Sequence, residues 1–415
     1  MLDISPLLRQ MPTLPASDIH LRVGVPPVFR IHGELRRVKD MPPVMQQDME
    51  EMLHQMLTGP QRERFDRELE LDFALQLHTG ERYRVNLFHQ RETFAAAFRL
   101  INMIIPTFED LNLPASIRNI SEWRRGLVLV TGVTGSGKTT TLASIIDYIN
   151  RSRPENVITI EDPIEYIHTN KKSIVAQREI GIDTFSFAEA LRRAMRQDPD
   201  VILVGEIRDM DTMQIALQAA DTGHLVLSTL HTLDALQTIY RILSFFPPHQ
   251  HQEIRLVLAS TLQAIISQRL VPRNDIAGRL PAIEILIGTG AVRECVITPD
   301  RTSSVKDLIA QGAVQYGMQT IDQSLFYFYR RGMISLEIAL TTASNPDDFK
   351  LRVAGIVGAS DKGWKEFEKE AGGKPEEDDE IQKPPDKLPE KKPAGEEKPL
   401  AENRGFTAPQ PNKKK

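Results

Sequence analysis

The hydrophobic pattern of the second part of the chain predicts buried strands that alternate with helices. Short apolar runs rich in β-branched residues are separated by segments with apolar residues at helical spacing. This alternation is typical of parallel βαβ units, whose ligands gather at the carboxyl ends of the strands. The predicted strands are 127–131, 157–160, 201–204 and 225–229. Further helical stretches are predicted over about 254–269 and 305–343.

The first part of the chain has a different pattern, in which apolar and polar residues alternate with period two. A polar helix is predicted over about 46–67, and the strand-like runs are 18–23, 28–32, 71–77, 82–88 and 94–100. We therefore predict a small α+β domain with a mostly antiparallel sheet over residues 1–105. A proline-broken linker over 106–125 would join it to an α/β domain over 126–350.

The last segment, 351–415, is rich in charged residues and proline. Such a composition cannot bury enough apolar surface to offset the entropy lost on ordering. We predict that this tail is largely disordered.

One loop carries the clearest chemistry. Strand 127–131 runs directly into a G-x-x-x-x-G-K-T motif, formed by Gly132, Val133, Thr134, Gly135, Ser136, Gly137, Lys138 and Thr139. Its glycines allow successive backbone N–H groups to turn inward around phosphate oxygens. Lys138 supplies a cation for the outer phosphates, and the hydroxyl of Thr139 can complete a Mg²⁺ shell. We predict that these residues and Thr140 bind ATP and Mg²⁺.

Acidic residues follow two other predicted strands. Glu206 comes after strand 201–204, where a carboxylate can position Mg²⁺ through water. Strand 157–160 is followed by Glu161, Asp162 and Glu165, one of which could orient or deprotonate the attacking water. Glu165 is the first candidate for this role and Glu161 the second. The predicted catalytic set is therefore Glu206, Glu165, Glu161 and Lys138.

Histidines and arginines complete the candidate site. His224 and His231 flank strand 225–229, and an imidazole there could hydrogen-bond a phosphate or a carboxylate and so report nucleotide state. The arginines predicted to contact the nucleotide lie on the amino-terminal sheet, at Arg82, Arg84 and Arg99. A guanidinium reaching across a subunit boundary could stabilise the charge that develops during phosphoryl transfer.

Composition narrows the function classes. The net charge of −5 gives no general attraction to nucleic acid, and no basic patch stands out. The chain has no run of eighteen apolar residues and no signal-like start, so we expect a cytoplasmic protein without a membrane span. The single cysteine, Cys295, excludes an internal disulfide and a four-cysteine zinc site. We expect it to be a buried thiol.

Taken together, these elements resemble the secretion-ATPase superfamily of type II secretion and type IV pili. Residues 195–209, 160–166 and 222–232 are similar to that family's Walker B neighbourhood, "Asp box" and "His box". The chain most resembles the PilT/PilU-type twitching-motility branch, through four motifs: Ser17-Asp-Ile-His-Leu, Gly24-Val-Pro-Pro, Arg82-Tyr-Arg-Val-Asn and Gly317-Met-Gln-Thr-Ile-Asp.

This resemblance implies a PAS-like amino-terminal domain and a RecA-like ATPase domain in a homohexameric ring. It implies that ATP hydrolysis drives pilus retraction through an inner-membrane platform protein, with a paralogous pilus ATPase as a further candidate partner. The protein would act in the cytoplasm, peripherally at the inner face of the membrane. Nucleic acid is not an expected partner.

Three other functions stay open. Assembly and secretion ATPases have long amino-terminal extensions and usually a four-cysteine zinc insertion, whereas here the recognisable domain begins near residue 1 and there is one cysteine. An accessory, PilU-like paralogue would bind nucleotide mainly as a regulatory signal. Residues 291–296, Ala-Val-Arg-Glu-Cys-Val, depart from the Ala-Ile-Arg-Asn-Leu-Ile typical of retraction ATPases. A nucleic-acid translocase is the least favoured alternative.

Overall fold

The structure is a computed structural model that describes residues 4–14, 16–31, 34–38, 41–101 and 104–354. Two compact units follow one another along the described chain, one ending at residue 101 and the other starting at residue 104. Among the described helices, none is both long enough and apolar enough to cross a lipid bilayer.

The first unit is an α+β fold with a six-stranded sheet, and each described pair of neighbouring strands is antiparallel, as predicted. Its helices are α1 (Ser5–Gln10), α2 (Gln46–Met56) and α3 (Gly59–Glu68). Its strands are β1 (Ala16–Arg22), β2 (Val25–Ile31), β3 (Glu34–Arg37), β4 (Glu70–Gln76), β5 (Arg82–Gln90) and β6 (Thr93–Ile101). The strand order is β3-β2-β1-β6-β5-β4. Alternate residues of β5 are buried in one core with the helices.

The polar helix predicted over 46–67 is in fact two helices, so that prediction was wrong in its continuity. Leu57 and Thr58 both have extended backbone angles, and Thr58 caps the new helix that begins at Gly59. The backbone N–H of Thr58 donates to Gln61 Oε1 at 2.9 Å. Pro60 follows in the first turn, where its lack of an N–H does no harm. Pattern reasoning also missed α1 and the short, fully exposed strand β3.

The second unit is an α/β fold with a seven-stranded sheet. Its strands are β7 (Gly126–Thr131), β8 (Asn156–Glu161), β9 (Ile174–Glu179), β10 (Val201–Val204), β11 (Leu225–Leu230), β12 (Leu262–Pro272) and β13 (Arg279–Ile287). The order is β13-β12-β7-β11-β10-β8-β9. All neighbouring pairs from β12 to β9 are parallel, and β13 is antiparallel to β12. The predicted parallel sheet is confirmed.

Helices cover both faces of this sheet. They are α4 (Ala115–Ser121), α5 (Lys138–Ser152), α6 (Phe187–Ala194), α7 (Met210–Asp221), α8 (Ala235–Ser244), α9 (His251–Thr261), α10 (Gly290–Ile297), α11 (Val305–Gln311), α12 (Ala313–Tyr316), α13 (Ile321–Arg330), α14 (Leu336–Thr342) and α15 (Pro346–Val353). In β7, Leu127 and Leu129 pack into the core that contains α6 to α9. Val128 and Val130 pack into the opposite core, with α4 and α5. Strands buried on both faces explain the continuous apolar runs.

The helix predicted over 254–269 is wrong in its second half. Helix α9 ends at Thr261, and Leu262 begins strand β12, which pairs with β7 on one side and β13 on the other. A short apolar run cannot be assigned to helix or strand by periodicity alone. Here the sheet decides, because β12 covers an edge of β7 that would otherwise leave backbone groups unpaired.

The predicted linker, 106–125, contains a structured helix. Ile117 and Ile120 of α4 are buried in the core of the second unit. Pro114 occupies the position just before the helix, where an extended backbone suits it. This part of the segment therefore packs as a component of the second unit.

The carboxy-terminal part of the described chain is mostly helical. Strand β13 and the helices from α10 to α15 lie within residues 279–353. Cys295 on α10 is 1% exposed, which confirms the expected buried thiol, and burial raises its pKa. Most of the predicted tail, 355–415, lies outside the described residues.

Glu284 on β13 is a buried carboxyl group that should make the free energy of unfolding depend on pH. The backbone N–H of Ala235, at the start of α8, donates to Glu284 Oε1 at 2.8 Å. Burial raises the pKa of Glu284 from its usual 4.5 to about 7. The folded chain therefore holds this proton to a higher pH than the unfolded chain, and the free energy of unfolding falls as pH rises through this window.

Glu284→Gln should remove that pH dependence, because an amide does not titrate in this range. The amide oxygen can still accept the hydrogen bond from the Ala235 N–H, so the contact is kept. Urea denaturation from about pH 5 to about pH 8 should show the variant gaining about 1–3 kcal/mol relative to the parent chain. Parallel pH profiles would contradict the assignment.

Candidate functional site

The phosphate-type loop follows the carboxyl end of β7, a fully buried inner strand of the sheet. Gly132 follows directly, with a φ of 145°, and Lys138 begins helix α5. A Cβ on Gly132 would lie 2.4 Å from the backbone oxygen of Gln268 and 2.6 Å from Ser136 Oγ. The loop is therefore compact here, and only glycine fits its first position.

Lys138 is 9% exposed, and its ammonium group is directed back along the loop. Its Nζ donates to the backbone oxygens of Gly132 at 2.8 Å and Val133 at 3.1 Å. Burial lowers the pKa of Lys138, while the negative charges of Glu206 and Glu165 act in the opposite direction. The lysine is thus a nearly buried cation close to two carboxylates.

These groups line one cavity of about 400 Å³. From the loop and α5 come Thr134, Gly135, Gly137, Lys138, Thr139, Thr140 and Leu142. The other strand ends contribute Glu161, Asp162, Pro163, Glu165, Leu203, Gly205, Glu206, Arg208, Thr229 and His231. The structure therefore brings the predicted loop together with all four predicted acidic side chains.

Glu206 is held between two basic side chains. Its Oε2 accepts from Arg208 Nη2 and its Oε1 faces His231 Nε2, each at 2.8 Å. Burial alone would raise the pKa of Glu206, but the hydrogen bond and charge of Arg208, together with His231, outweigh it and leave the pKa lowered. Glu206 is accordingly an ionised carboxylate facing the loop.

Glu161 and Glu165 differ sharply in environment. Glu161 Oε1 accepts from Thr159 Oγ1 at 2.6 Å and from Gln177 Nε2 at 3.1 Å. Burial raises the pKa of Glu161, and these hydrogen bonds oppose the shift. Glu165 is exposed to the cavity, and no hydrogen-bond partner for its side chain is seen within the described residues. Of these two glutamates, Glu165 is therefore the one free to meet a ligand.

The two histidines lie at opposite ends of β11. His231 follows the strand and lines the cavity. His224 precedes it, and its Nδ1 lies 2.9 Å from the backbone oxygen of Ala219. His224 also pairs its backbone oxygen with the N–H of Gly126, at the start of β7. Its position at the amino end of the sheet gives no support to the predicted contact with nucleotide.

The predicted arginines belong to the antiparallel sheet of the first unit. Arg99 Nε lies 2.8 Å from Asp18 Oδ1, and Arg84 Nε lies 3.5 Å from Asp72 Oδ1. Arg82 is the first residue of β5 and pairs with Ile101 of β6. Their predicted nucleotide contacts stay predictions.

Three other predicted residues, Val133, Ser136 and Thr140, differ in exposure and in hydrogen bonding. Val133 is exposed, and Ser136 is buried with no hydrogen-bond partner for its Oγ among the described residues. Thr140 Oγ1 lies 3.0 Å from the hydroxyl of Tyr166, which links α5 to the segment after β8.

Sequence reasoning missed several residues of this cavity. Phe187, Leu270 and Arg279 line it, and Gln268 contacts the loop from behind. Arg279 has no ion-pair partner in the part of the chain that the structure describes. The wrong helix prediction over 254–269 hid Gln268, since a strand there would have pointed to the loop.

The donor set fits Mg²⁺ without a dedicated metal cage. Thr139 and Glu206 offer hard oxygen atoms, and magnesium is commonly held by one or two protein oxygens together with phosphates. Over the described ranges, there is no group of three or more His, Cys, Asp or Glu side chains able to hold a metal ion.

A G-x-x-x-x-G-K-T loop between a central parallel strand and a helix, with acids from neighbouring strand ends, defines a P-loop protein of RecA-like α/β class. Residues 12–315 match the family described as "Type II/IV secretion system protein", and the chain belongs to it.

Relatives agree with this assignment. The chain is 42% identical to the "Type IV pilus retractation ATPase PilT" of Pseudomonas aeruginosa, covering 84% of this chain and 100% of that protein. It is 40% identical to the "Type IV pilus ATPase PilU" of the same organism, covering 85% and 91%. A crystal structure of "the Pilus Retraction Motor PilT and Bound ADP" matches with a TM-score of 0.78 and 43% identity, covering 84% and 99%.

Gly132 and Gly135 should differ in how well they tolerate a side chain. Gly132→Ala should lower the free energy of unfolding by about 3–5 kcal/mol, because the new methyl group meets fixed backbone. Gly135→Ala is the matched control: its φ is 78°, but a Cβ there meets nothing within 4 Å. Only backbone strain of about 1 kcal/mol is expected for it.

Thermal or urea unfolding of the two variants checks this difference. Equal losses for Gly132→Ala and Gly135→Ala would show that the close approach to Gln268 does not matter.

Proposed function

We propose that this chain is a homohexameric ATPase motor that hydrolyses ATP to ADP and phosphate and powers type IV pilus retraction in twitching motility. The observation that carries the proposal is the single cavity shared by Lys138, Thr139, Glu165 and Glu206. Similarity to a named retraction ATPase over its whole length, and to a PilT structure with bound ADP, supports the retraction role.

In this proposal, the loop binds the triphosphate. Backbone N–H groups of 132–137, the ammonium group of Lys138 and the positive end of α5 all favour an anion. Thr139 and Glu206 would hold Mg²⁺, which when bound neutralises phosphate charge. His231, bonded to Glu206, is placed to report whether phosphate occupies the site.

Glu165 is the group that we assign to orienting and deprotonating the attacking water. Its carboxylate lines the cavity, while that of Glu161 is already engaged by Thr159 and Gln177. A general base needs a free oxygen within reach of the water. Glu161 then acts as a positioning residue for the segment that carries Glu165.

The motor role requires partners. Neighbouring subunits of a ring would supply Arg82, Arg84 or Arg99 to the developing charge. Force would pass to an inner-membrane platform protein, with a paralogous pilus ATPase as a second candidate partner. The protein would then work in the cytoplasm, peripherally at the inner membrane face.

Two substitutions test the chemistry. Lys138→Ala and Glu206→Gln should each lower ATP turnover by about a hundredfold or more. The first removes the cation that faces the phosphates, and the second removes the carboxylate charge that would hold Mg²⁺. Phosphate release from the purified protein measures turnover, and circular dichroism checks the fold. Lys350→Ala, an exposed lysine on α15, is the control and should keep full turnover. Unchanged turnover in either site variant would refute the assignment.

An accessory, PilU-like role is the second candidate. Residues 291–296 on α10 depart from the typical retraction motif, and the chain is almost as similar to PilU as to PilT. A type II secretion or pilus-assembly ATPase would share the same site chemistry and push subunits outward.

A deletion strain separates these roles. If the chain is the retraction motor, cells lacking it should be hyperpiliated and unable to twitch. Electron microscopy of pili and a surface-motility assay measure both traits. Bald cells would indicate assembly instead, and normal twitching would indicate an accessory role.

A further inference from the structure

Gln268 is a buried polar residue that contacts the phosphate loop from outside the cavity. It lies on β12 and is 1% exposed. Its Nε2 donates to the backbone oxygen of Ser136 at 2.5 Å, and its Oε1 accepts from Thr141 Oγ1 at 3.0 Å. One amide therefore connects the last turn of the loop with the first turn of α5.

The orientation of this amide follows from its partners. The backbone oxygen of Ser136 can only accept a hydrogen bond, so the NH₂ group must face it. The amide oxygen is then left for the hydroxyl of Thr141. Both contacts are buried, so losing either would leave a polar group without water.

The contact to Ser136 determines where the next N–H points. The peptide group joining Ser136 and Gly137 is planar, and in a trans peptide the C=O and N–H point in opposite directions. Since Gln268 holds the oxygen from behind, the N–H of Gly137 is directed away from β12. Gly137 lines the cavity, so its N–H is turned toward the place where phosphate would sit.

Strand β12 is itself fixed against the loop. Thr131 Oγ1 donates to Ser267 Oγ at 2.9 Å, at the residue before the loop. Gly132 lies so close to the Gln268 backbone oxygen that no side chain fits between them. The amide of Gln268 therefore acts from a rigid base rather than from a mobile loop.

We propose that Gln268 is a positioning residue that sets the Ser136–Gly137 peptide so that the loop presents N–H groups, not carbonyl oxygens, to the nucleotide phosphates. This inference deepens the proposed function and depends on it. Without the amide, the peptide is free to rotate and place the Ser136 oxygen against the anion, where it would repel phosphate.

A purely structural role for Gln268 would have a different signature. It would lower the stability of the chain without changing how tightly the folded protein binds nucleotide. The chain offers a matched comparison in Gln319, which is 3% exposed and donates from Nε2 to the backbone oxygen of Ile283 at 2.8 Å. Gln319 does not line the nucleotide cavity.

The test compares Gln268→Met with Gln319→Met in the full chain. Equilibrium titration with a fluorescent ADP and Mg²⁺ gives the dissociation constant, and thermal unfolding without nucleotide gives stability. Both variants should lose stability, but only Gln268→Met should bind ADP about tenfold or more weakly. ADP affinity unchanged in Gln268→Met, or weakened equally in Gln319→Met, would overturn the inference. An unsubstituted chain that binds no ADP would instead overturn the proposed function.

Gln268→Glu gives an independent check, and serves alone if the methionine variant does not fold. An ionised carboxylate repels the Ser136 oxygen, whereas a protonated one can donate to it. Relative to the unsubstituted chain, Gln268→Glu should therefore regain ADP affinity as pH falls from about 8.5 to about 6. A ratio of affinities that does not change with pH, or full affinity at high pH, would contradict the role.

Discussion

The register of β7 is the constraint on which the rest of the site depends. Thr131, the last residue of β7, pairs with Leu230 of β11 on one side and with Ser267 of β12 on the other. Hydrogen bonds on both edges prevent the strand from sliding, because any shift by one residue would exchange the two buried faces. The loop therefore leaves the sheet at one fixed height, beside the strand ends that carry Glu206 and His231.

Charges of both signs meet in this cavity. Lys138 is nearly buried, yet carboxylates close by favour its charged form. Glu206 keeps its charge through Arg208 and His231. Interactions of this kind are stronger where a side chain is shielded from bulk water, as those of Lys138 and Glu206 are in large part. The arrangement of the charges thus follows from the strand order.

The sequence could predict those parts of the site that are local. The loop motif and the acids after two apolar strands are read directly, because each needs only a strand and the residues that follow it. Gln268, Leu270 and Arg279 could not be found this way, since their positions depend on β12 pairing with β7, far away in the chain, and on β13 pairing with β12. The position of His224 could not be predicted for a related reason: flanking a strand does not say which end of the strand meets the site.

Cys295 has a practical consequence. It is the only thiol in the 415-residue chain. Its side chain lies on α10 and is buried in the core, and burial raises its pKa. Maleimide reagents react with accessible thiolates and not with buried thiols, so native Cys295 should not be labelled by them. A dye or spin label attached through one engineered surface cysteine would therefore report from a single known position, and movements during turnover become measurable without first removing a native residue.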